Sequence, residues 1–204
     1  MGKGSGGVMR KPKLPQPETP NQGRDNFQTP LYATELILPF IPNGVRIIWE
    51  CCAGENEKMA RAVFGYLSYK LGDTADVIAT DISTNPKYDC LAWMPNVFDC
   101  VITNPPYSIK NKVYKRLMSF NKPFALLIPG DWSAWLVKAI TPRDEGGDGC
   151  RIVLPDRRIN YITPSGKSGK KSSSQFHSIW LTRYFNVPDV VHVVHLAKED
   201  LENI

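Results

Sequence analysis

Apolar residues recur along this chain with two alternating periods, and the alternation predicts an α/β fold. Short continuous apolar runs, which indicate buried strands, end repeatedly at a polar residue. Between them, apolar residues recur every three to four positions, which is typical of amphipathic helices. The pattern predicts strands at 44–50, 75–80, 98–103, 124–129, 151–154 and 176–185, helices at 31–41, 56–71, 110–119 and 131–140, a short element near 88–91 and an unplaced β-rich segment at 190–196.

The order of these elements predicts a three-layer sheet, mostly parallel, with helices on both faces. The β-rich segments after residue 150 leave no room for good helices between them, so antiparallel strands at one edge of the sheet are expected. Residues 1–26 are rich in Gly, Pro and Lys and are predicted to be a disordered basic arm. Residues 27–204 are predicted to form one domain.

The most informative polar residues follow the predicted strand at 98–103. Asn104, Pro105, Pro106 and Tyr107 leave the end of that strand together, and ligands of open α/β sheets bind at this edge. The prolines stop the strand and fix the directions of their neighbours. An amide oxygen and free carbonyls can accept hydrogen bonds from a planar amino group, and an aromatic ring can lie against a base. These four residues are the candidate catalytic residues, and an ordinary Pro-Pro turn is the alternative.

A second group of polar residues follows the first two predicted strands. Glu50 ends the first strand, and Ala53 and Gly54 form a turn that lets a ligand approach the backbone before a helix begins. Dinucleotide sites use three glycines here, so NAD and ATP are disfavoured. Asp81, after the second strand, could accept hydrogen bonds from ribose hydroxyls or cap a turn. Asp89 could contact the amino group of a bound adenine or lie in a solvated loop.

Composition and charge narrow the function classes. No apolar run reaches the length of a membrane span, and no secretory signal opens the chain. The five cysteines are odd in number and lack Cys-x-x-Cys spacing, which argues against a disulfide framework and a zinc site, so no metal is predicted. A cytoplasmic location is expected. The net charge of +5 permits a polyanionic partner without requiring one.

Together these motifs resemble the S-adenosylmethionine-dependent amino-methyltransferases, and most of all the small, phage-type N6-adenine DNA methyltransferases. The shared segments are 27–30, 50–54, 81, 89–91 and 104–107, and the resemblance covers about residues 27–185. Residues 128–132 resemble the family's strand-5 segment, and 157–162 with 174–178 resemble its closing segment. The resemblance implies a Rossmann-like class I methyltransferase fold without a separate target-recognition domain.

The resemblance also implies an activity, the transfer of a methyl group from S-adenosylmethionine to the N6 amine of an adenine flipped out of DNA. The catalytic residues would be those of the Asn104–Tyr107 motif. The residues expected to hold the cofactor are Phe27, Thr29, Pro30, Glu50, Cys52, Ala53, Gly54, Asp81 and Asp89. Their positive charge, rather than the resemblance, makes Arg157, Arg158 and the lysines of the basic loop 163–174 (Lys167, Lys170 and Lys171) the residues expected to contact nucleic acid, and a solvated hairpin loop is the alternative for the lysines. A membrane partner is not expected, and a partner subunit is a candidate source of target recognition.

The chain departs from the family pattern at three positions. Cys51 replaces a proline, Cys90 replaces a phenylalanine, and Asn56 stands at the last glycine of the turn, where asparagine can adopt a left-handed φ. Three other functions share the motifs: RNA adenine methylation, protein-glutamine methylation, and nucleic-acid binding by a degenerate methyltransferase subunit.

Overall fold

The computed structural model describes residues 28–162 and 176–197. The predicted arm 1–26, Phe27 and the three lysines of the basic loop (Lys167, Lys170 and Lys171) lie outside the described residues. In chain order, the helices and strands are α1 Leu31–Glu35, β1 Ile47–Glu50, α2 Lys58–Leu71, β2 Asp76–Ala79, β3 Cys100–Thr103, α3 Lys110–Phe120, β4 Phe124–Pro129, α4 Ala134–Ile140, β5 Arg151–Pro155, β6 Ser178–Arg183 and β7 Val191–Val194.

All strands of the described residues belong to one sheet with the order β2-β1-β3-β4-β6-β5-β7. The pairs within β2-β1-β3-β4 are parallel. Strand β6 is antiparallel to β4 and to β5, and β7, which the sequence left unplaced, is parallel to β5 at the sheet edge. This mixed sheet has the order and strand directions of the Rossmann-like class I methyltransferase fold, and the expected fold class is confirmed.

Helices cover both faces of the sheet because successive strand residues point to opposite sides. Ile48, Ile102 and Leu127 pack with α1 and α2 in one buried cluster. Their neighbours Trp49 and Val101 pack with α3 and α4 in the other cluster. The central strands are therefore apolar on both faces, as expected for parallel strands inside a three-layer fold. None of the helices in the described part of the chain has the length and apolar character needed to span a bilayer.

Two helices are shorter than the apolar pattern predicts. The helix predicted at 31–41 ends at Glu35, and a 3₁₀ turn follows at Leu38–Phe40. Pro39 has no N–H to continue the helical hydrogen bonds, which explains the early end. The helix predicted at 131–140 begins at Ala134, because Trp132 has a φ of 42° and lies outside the helical region. The short element near 88–91 consists of a 3₁₀ turn, Pro86–Tyr88, and the residues that follow it.

The strand directions bring the candidate chemistry to one edge of the sheet. Strands β1 to β5 all point the same way, so their carboxyl ends share an edge. The antiparallel β6 enters from that edge, where Ser178 pairs with Pro129 at the end of β4. Residues just before β6 and just after β1 to β5 therefore approach one another, as in other open α/β sheets that bind ligands at this edge.

Candidate active site

A cleft of about 390 Å³ lies at the carboxyl edge, where β1, β2 and β3 end side by side. Sites for small molecules commonly have volumes of about 300–1,000 Å³. The predicted site residues that line the cleft are Thr29, Glu50, Cys52, Ala53, Gly54, Asp81, Asn104 and Pro106. Seven residues that were not predicted as site residues complete the lining: Gln28, Glu55, Asn56, Lys58, Met59, Ile82 and Ser83. Each of these residues lies within a few positions of a predicted site residue, so including the flanking residues in the prediction would have identified it.

Asn104 presents an oriented hydrogen-bond acceptor in this cleft. Its Nδ2 donates a hydrogen bond of 2.9 Å to the hydroxyl of Thr29, which fixes the amide plane. Its Oδ1 is buried and has no hydrogen-bond partner among the described residues. An unpaired buried acceptor costs about 1–3 kcal/mol, so this position favours a ligand that supplies a donor. The sequence singled out Asn104 but did not indicate its hydrogen bond to Thr29.

Thr29 reaches Asn104 because two distant segments pair next to the cleft. Gln28 and Ile162 exchange backbone hydrogen bonds of 2.9 and 3.0 Å, which places the chain before α1 against the segment after β5. The hydroxyl of Tyr32 accepts a hydrogen bond from the N–H of Asn160 and joins the same two segments. The short segment that contains Thr29 is therefore fixed at Gln28 on one side and at Tyr32 on the other.

The ring of Tyr107 is oriented by a chain of hydroxyls. Its hydroxyl donates a 2.6 Å hydrogen bond to that of Tyr161, which donates a 2.8 Å bond to the hydroxyl of Ser178. The ring also packs edge-to-face against Phe176, with a centroid separation of 5.1 Å. Tyr107 is half-buried and Pro105 is buried, and neither residue lines the cleft itself. The hydroxyl chain thus links the Asn104–Tyr107 motif to the first residue of β6.

Glu50 is a buried carboxyl group at the end of β1, only 3% exposed, and it lines the cleft. Burial raises its pKa from the ordinary value of 4.5 to about 8, and the negative charges of Glu57 and Asp81 act in the same direction. A hydrogen bond from the backbone of Ala60 opposes them. Its Oε2 has no hydrogen-bond partner within the described ranges. Such a group favours a cation or a hydrogen-bond donor as its ligand.

The turn after β1 depends on Gly54 for its backbone conformation. Gly54 has a φ of 64°, and a Cβ added there would meet nothing within 4 Å, so conformation rather than space requires glycine. The carboxylate of Asp81 accepts hydrogen bonds from the N–H of Gly54 at 2.9 Å and of Ser83 at 2.7 Å. Asp81 therefore stabilises the turn, which was one of the two roles that the sequence allowed for it, and it also lines the cleft.

The left-handed residue at the end of this turn is Glu57, not Asn56. Glu57 has a φ of 49° and immediately precedes α2, and Asn56 is absent from the described residues with positive φ. The loss of the last glycine is therefore accommodated one position later than the sequence suggested. Asn56 and Lys58, on either side, both line the cleft.

Asp89 and Cys90 occupy the segment between β2 and β3. One carboxylate oxygen of Asp89 accepts a 2.9 Å hydrogen bond from the N–H of Leu91, and Asp89 does not line the cleft. The sulfur of Cys90 lies 3.8 Å from that of Cys52. Hydrogen bonds from the thiols of Cys51 and Cys52 hold the pKa of Cys90 well below its usual range near 9. Cys90 is thus part of a thiol cluster beside the cleft.

Two further features occupy the carboxyl edge of the sheet. Arg157 and Arg158 follow the end of β5 and are half-buried and exposed, respectively. Trp132, which is 53% exposed, lies in the loop after β4. Asp131, next to it, accepts a hydrogen bond from Ser133 and forms a 3.0 Å ion pair with Lys110 at the start of α3. This edge therefore offers both cationic and aromatic groups.

No family model and no curated protein matches the chain. Among solved structures, the chain is similar to a protein of Pyrococcus horikoshii proposed to be an RNA methyltransferase (13% identity, TM-score 0.45, 83% of this chain and 91% of that one). It is also similar to a dimethyladenosine transferase of Plasmodium falciparum (12%, 0.37, 76% and 61%) and to the 23S rRNA methyltransferase ErmE (11%, 0.39, 74% and 66%). The fold class is given by the strand order and directions described above.

Proposed function

We propose that this protein transfers a methyl group from S-adenosylmethionine to the N6 amine of adenine in DNA. The observation that carries the proposal is the buried, unpartnered Oδ1 of Asn104, held in the cleft by Thr29. An acceptor fixed in this way matches a planar amino group, which has hydrogens to donate. The sequence around Asn104 and the fold class both support a methyl transfer at such an amine.

The residues of the cleft fit the proposed cofactor. Glu50 has an unpartnered buried oxygen that would accept the cationic amino group of the methionine part. Gly54 has no side chain, so a ligand can approach the backbone of the turn. Asp81 would accept hydrogen bonds from the ribose hydroxyls through the remaining lone pairs of its carboxylate. When bound, S-adenosylmethionine supplies an electrophilic methyl group on a positively charged sulfur.

The chain's own residues would hold the amine and stabilise developing charge. The Oδ1 of Asn104 and the carbonyl of Pro105 accept the two N6 hydrogens and aim the nitrogen lone pair away from them. During transfer, positive charge appears on N6, and these fixed oxygen dipoles stabilise it without reorganising. Asn104 can stabilise this charge without turning, because its hydrogen bond to Thr29 has already fixed the amide plane.

An adenine in a duplex must leave the base stack to reach the Asn104–Tyr107 motif beside this cleft. Unstacking costs a few kcal/mol, and stacking on aromatic side chains offsets that cost. Tyr107, oriented through Tyr161 and Phe176, supplies one ring face. The exposed Trp132 after β4 is a second platform at the same edge.

The experiment that tests the proposal measures label transfer and identifies the product. The full-length protein is incubated with methyl-tritiated S-adenosylmethionine and, in parallel, with duplex DNA, single-stranded DNA, structured RNA and a protein extract. Digestion and chromatography then identify the labelled nucleoside or residue. Label in N6-methyladenosine from RNA, or in methylglutamine, would replace the proposed substrate. Label in N6-methyldeoxyadenosine that depends on Asn104 would support it.

We expect Thr29→Val to lower the rate of methyl transfer about tenfold, the effect of about 1.4 kcal/mol at the transition state. Valine keeps the shape of threonine but removes the hydroxyl that accepts from Asn104. The measurement is a single-turnover rate at saturating cofactor. Thr34→Val is the matched control, because the buried hydroxyl of Thr34, in nearby α1, has no partner in the described structure. Equal rates for both variants would show that Thr29 does not orient Asn104.

We expect Asp81→Asn to weaken the binding of S-adenosylhomocysteine by about 10- to 100-fold, which corresponds to about 1.4–2.8 kcal/mol. Both carboxylate oxygens accept backbone hydrogen bonds, so the variant also perturbs the turn at Gly54. A ligand analogue without the ribose hydroxyls separates the two effects in a double cycle measured by calorimetry. If Asp81 binds ribose, the variant weakens the binding of the analogue less than it weakens the binding of S-adenosylhomocysteine. A loss of the same size for both ligands would assign Asp81 to the turn alone.

Replacing Arg157 and Arg158 by glutamine is expected to flatten the salt dependence of DNA binding. Each phosphate contact contributes about 0.9 to the slope of log K against log salt concentration, so the slope should fall by about 1 to 2. The binding constant is measured by fluorescence anisotropy between about 50 and 200 mM salt. Arg46→Gln is the control, because Arg46 is exposed before β1 at the opposite edge of the sheet. An unchanged slope in the double variant would remove both arginines from the DNA contact.

A further inference from the structure

Three cysteine sulfurs converge beside the cleft. The Sγ atoms of Cys51, Cys52 and Cys90 all lie within 4.8 Å of one another. All three cysteines are free thiols. Cys51 and Cys52 occupy the turn that follows β1, and Cys90 follows the 3₁₀ turn Pro86–Tyr88. Two separate segments of the chain thus contribute to one cluster, which we call the thiol cluster.

The separation between two of these sulfurs matches a metal centre rather than a disulfide. Zinc–sulfur bonds are about 2.3 Å long, so two thiolates on one tetrahedral ion lie about 3.8 Å apart. The sulfurs of Cys52 and Cys90 are separated by 3.8 Å. A disulfide would need that separation to shrink to about 2.05 Å and would leave the third sulfur unused. We infer that Cys51, Cys52 and Cys90 form a three-thiolate site for a thiophilic d¹⁰ cation, with Zn²⁺ as the physiological candidate.

The cluster is both enclosed and reachable. Cys51 and Cys90 are buried, with exposures of 2% and 7%, which shields the thiolates from water. Cys52 is less buried and lines the cleft, so an ion can arrive from that side. Three protein ligands leave the fourth tetrahedral position for a water molecule or another donor. Binding displaces the thiol protons to solvent, and no oxidation or reduction is involved.

The argument from sequence spacing against zinc does not apply to this arrangement. Spacing motifs such as Cys-x-x-Cys describe ligands that share one loop. Here Cys52 and Cys90 are 38 positions apart, and the fold brings them together. A bound ion would tie the turn after β1 to the segment between β2 and β3. Because Cys52 and Gly54 both line the cleft, the ion would stiffen the wall of the cleft.

Metal titration of the reduced, metal-free, full-length protein tests the inference. Zn²⁺ is added in competition with a chromophoric chelator, and Cd²⁺ is added separately to detect thiolate-to-metal charge-transfer absorption. The expected result is one ion per chain, with a Zn²⁺ dissociation constant below about 1 μM. Cys52→Ser and Cys90→Ser should each weaken binding at least about 100-fold, because even the loss of a residue that only hydrogen-bonds to a metal ligand costs about 10- to 100-fold.

A double variant that removes the other two cysteines is the matched control. Cys100→Ala with Cys150→Ala keeps the thiol cluster and should bind Zn²⁺ as the unmodified protein does. Circular dichroism establishes whether each variant is folded. If Cys90→Ser does not fold, Cys52→Ser still tests the inference, because Cys52 is the least buried of the three cysteines. Absence of one-to-one binding in the unmodified protein, or equal binding by Cys52→Ser, would overturn the inference.

Discussion

Replacing Asn104 by alanine is expected to lower the rate of methyl transfer about 1,000-fold, the upper range for removing one group that stabilises charge in a transition state. The variant removes the buried Oδ1 that lies unpartnered within the described structure and the Nδ2 that donates to Thr29. The amine would then lose an oriented acceptor at the moment when positive charge develops on it. The measurement is a single-turnover rate with tritiated cofactor and the preferred DNA.

Cofactor binding separates a chemical role of Asn104 from a structural one. S-adenosylhomocysteine should bind Asn104→Ala within about threefold of the unmodified protein, since the residues proposed to hold the cofactor are unchanged. Asn186→Ala is the matched control, because Asn186 hydrogen-bonds the carbonyl of Ile41 and does not line the cleft. Asn104→Asp keeps an acceptor oxygen, and we expect it to retain more activity than the alanine variant. An Asn104→Ala protein with near-normal turnover would refute the catalytic assignment.

Glu50→Gln is expected to stabilise the ligand-free protein at pH 8 by a few kcal/mol and to have little effect at pH 5. Burial raises the pKa of Glu50 from 4.5 to about 8, so the folded state holds this proton more tightly than the unfolded chain does. A shift of this size corresponds to roughly 4–5 kcal/mol. The contribution of Glu50 to the free energy of unfolding is therefore largest below pH 4.5, falls as the pH rises, and is fully lost above pH 8. Glutamine has no such proton, so this pH dependence disappears.

Denaturant titrations between pH 5 and 8.5, with a metal chelator present, measure this difference. The same variant should bind S-adenosylmethionine at least about tenfold more weakly, because a neutral amide pairs less well with a cationic amino group than a carboxylate does. Glu55→Gln is the control, since Glu55 lines the same cleft but is exposed. Parallel pH profiles for the unmodified protein and Glu50→Gln would show that Glu50 titrates normally. Unchanged cofactor affinity would exclude a contact with the cationic amino group.

The parts of the site that the sequence predicted lie directly after strands. Glu50, Asp81 and Asn104 each end an apolar run, and parallel strands bring such positions to one edge whatever the details of packing. Strands β1, β3 and β4 were predictable because they are buried on both faces and therefore appear as continuous apolar runs. The three-layer α/β architecture and these central positions follow from local patterns alone, and the class I fold was expected from the family resemblance.

The features that sequence could not supply depend on contacts between distant segments. The contact of Thr29 with Asn104 spans 75 positions, and that of Cys52 with Cys90 spans 38. The pairing of β7 with β5 depends on packing at the sheet edge, which a β-rich pattern does not specify. The early end of α1 could have been predicted from Pro39, because proline cannot donate the helical hydrogen bond. The apolar pattern continues past this proline and predicted a longer helix.

The insertion of β6 between β4 and β5 has a consequence for how this protein could acquire new specificity. Strand β5 leaves the sheet at the carboxyl edge and β6 returns from the same edge, with Ser178 beside Pro129. At that edge, Ile162 pairs with Gln28, and Phe176 contacts Tyr107. Loop-closure entropy rises slowly with length. A recognition module grafted or evolved between residues 162 and 176 would join the chain at this edge without altering any strand of the sheet.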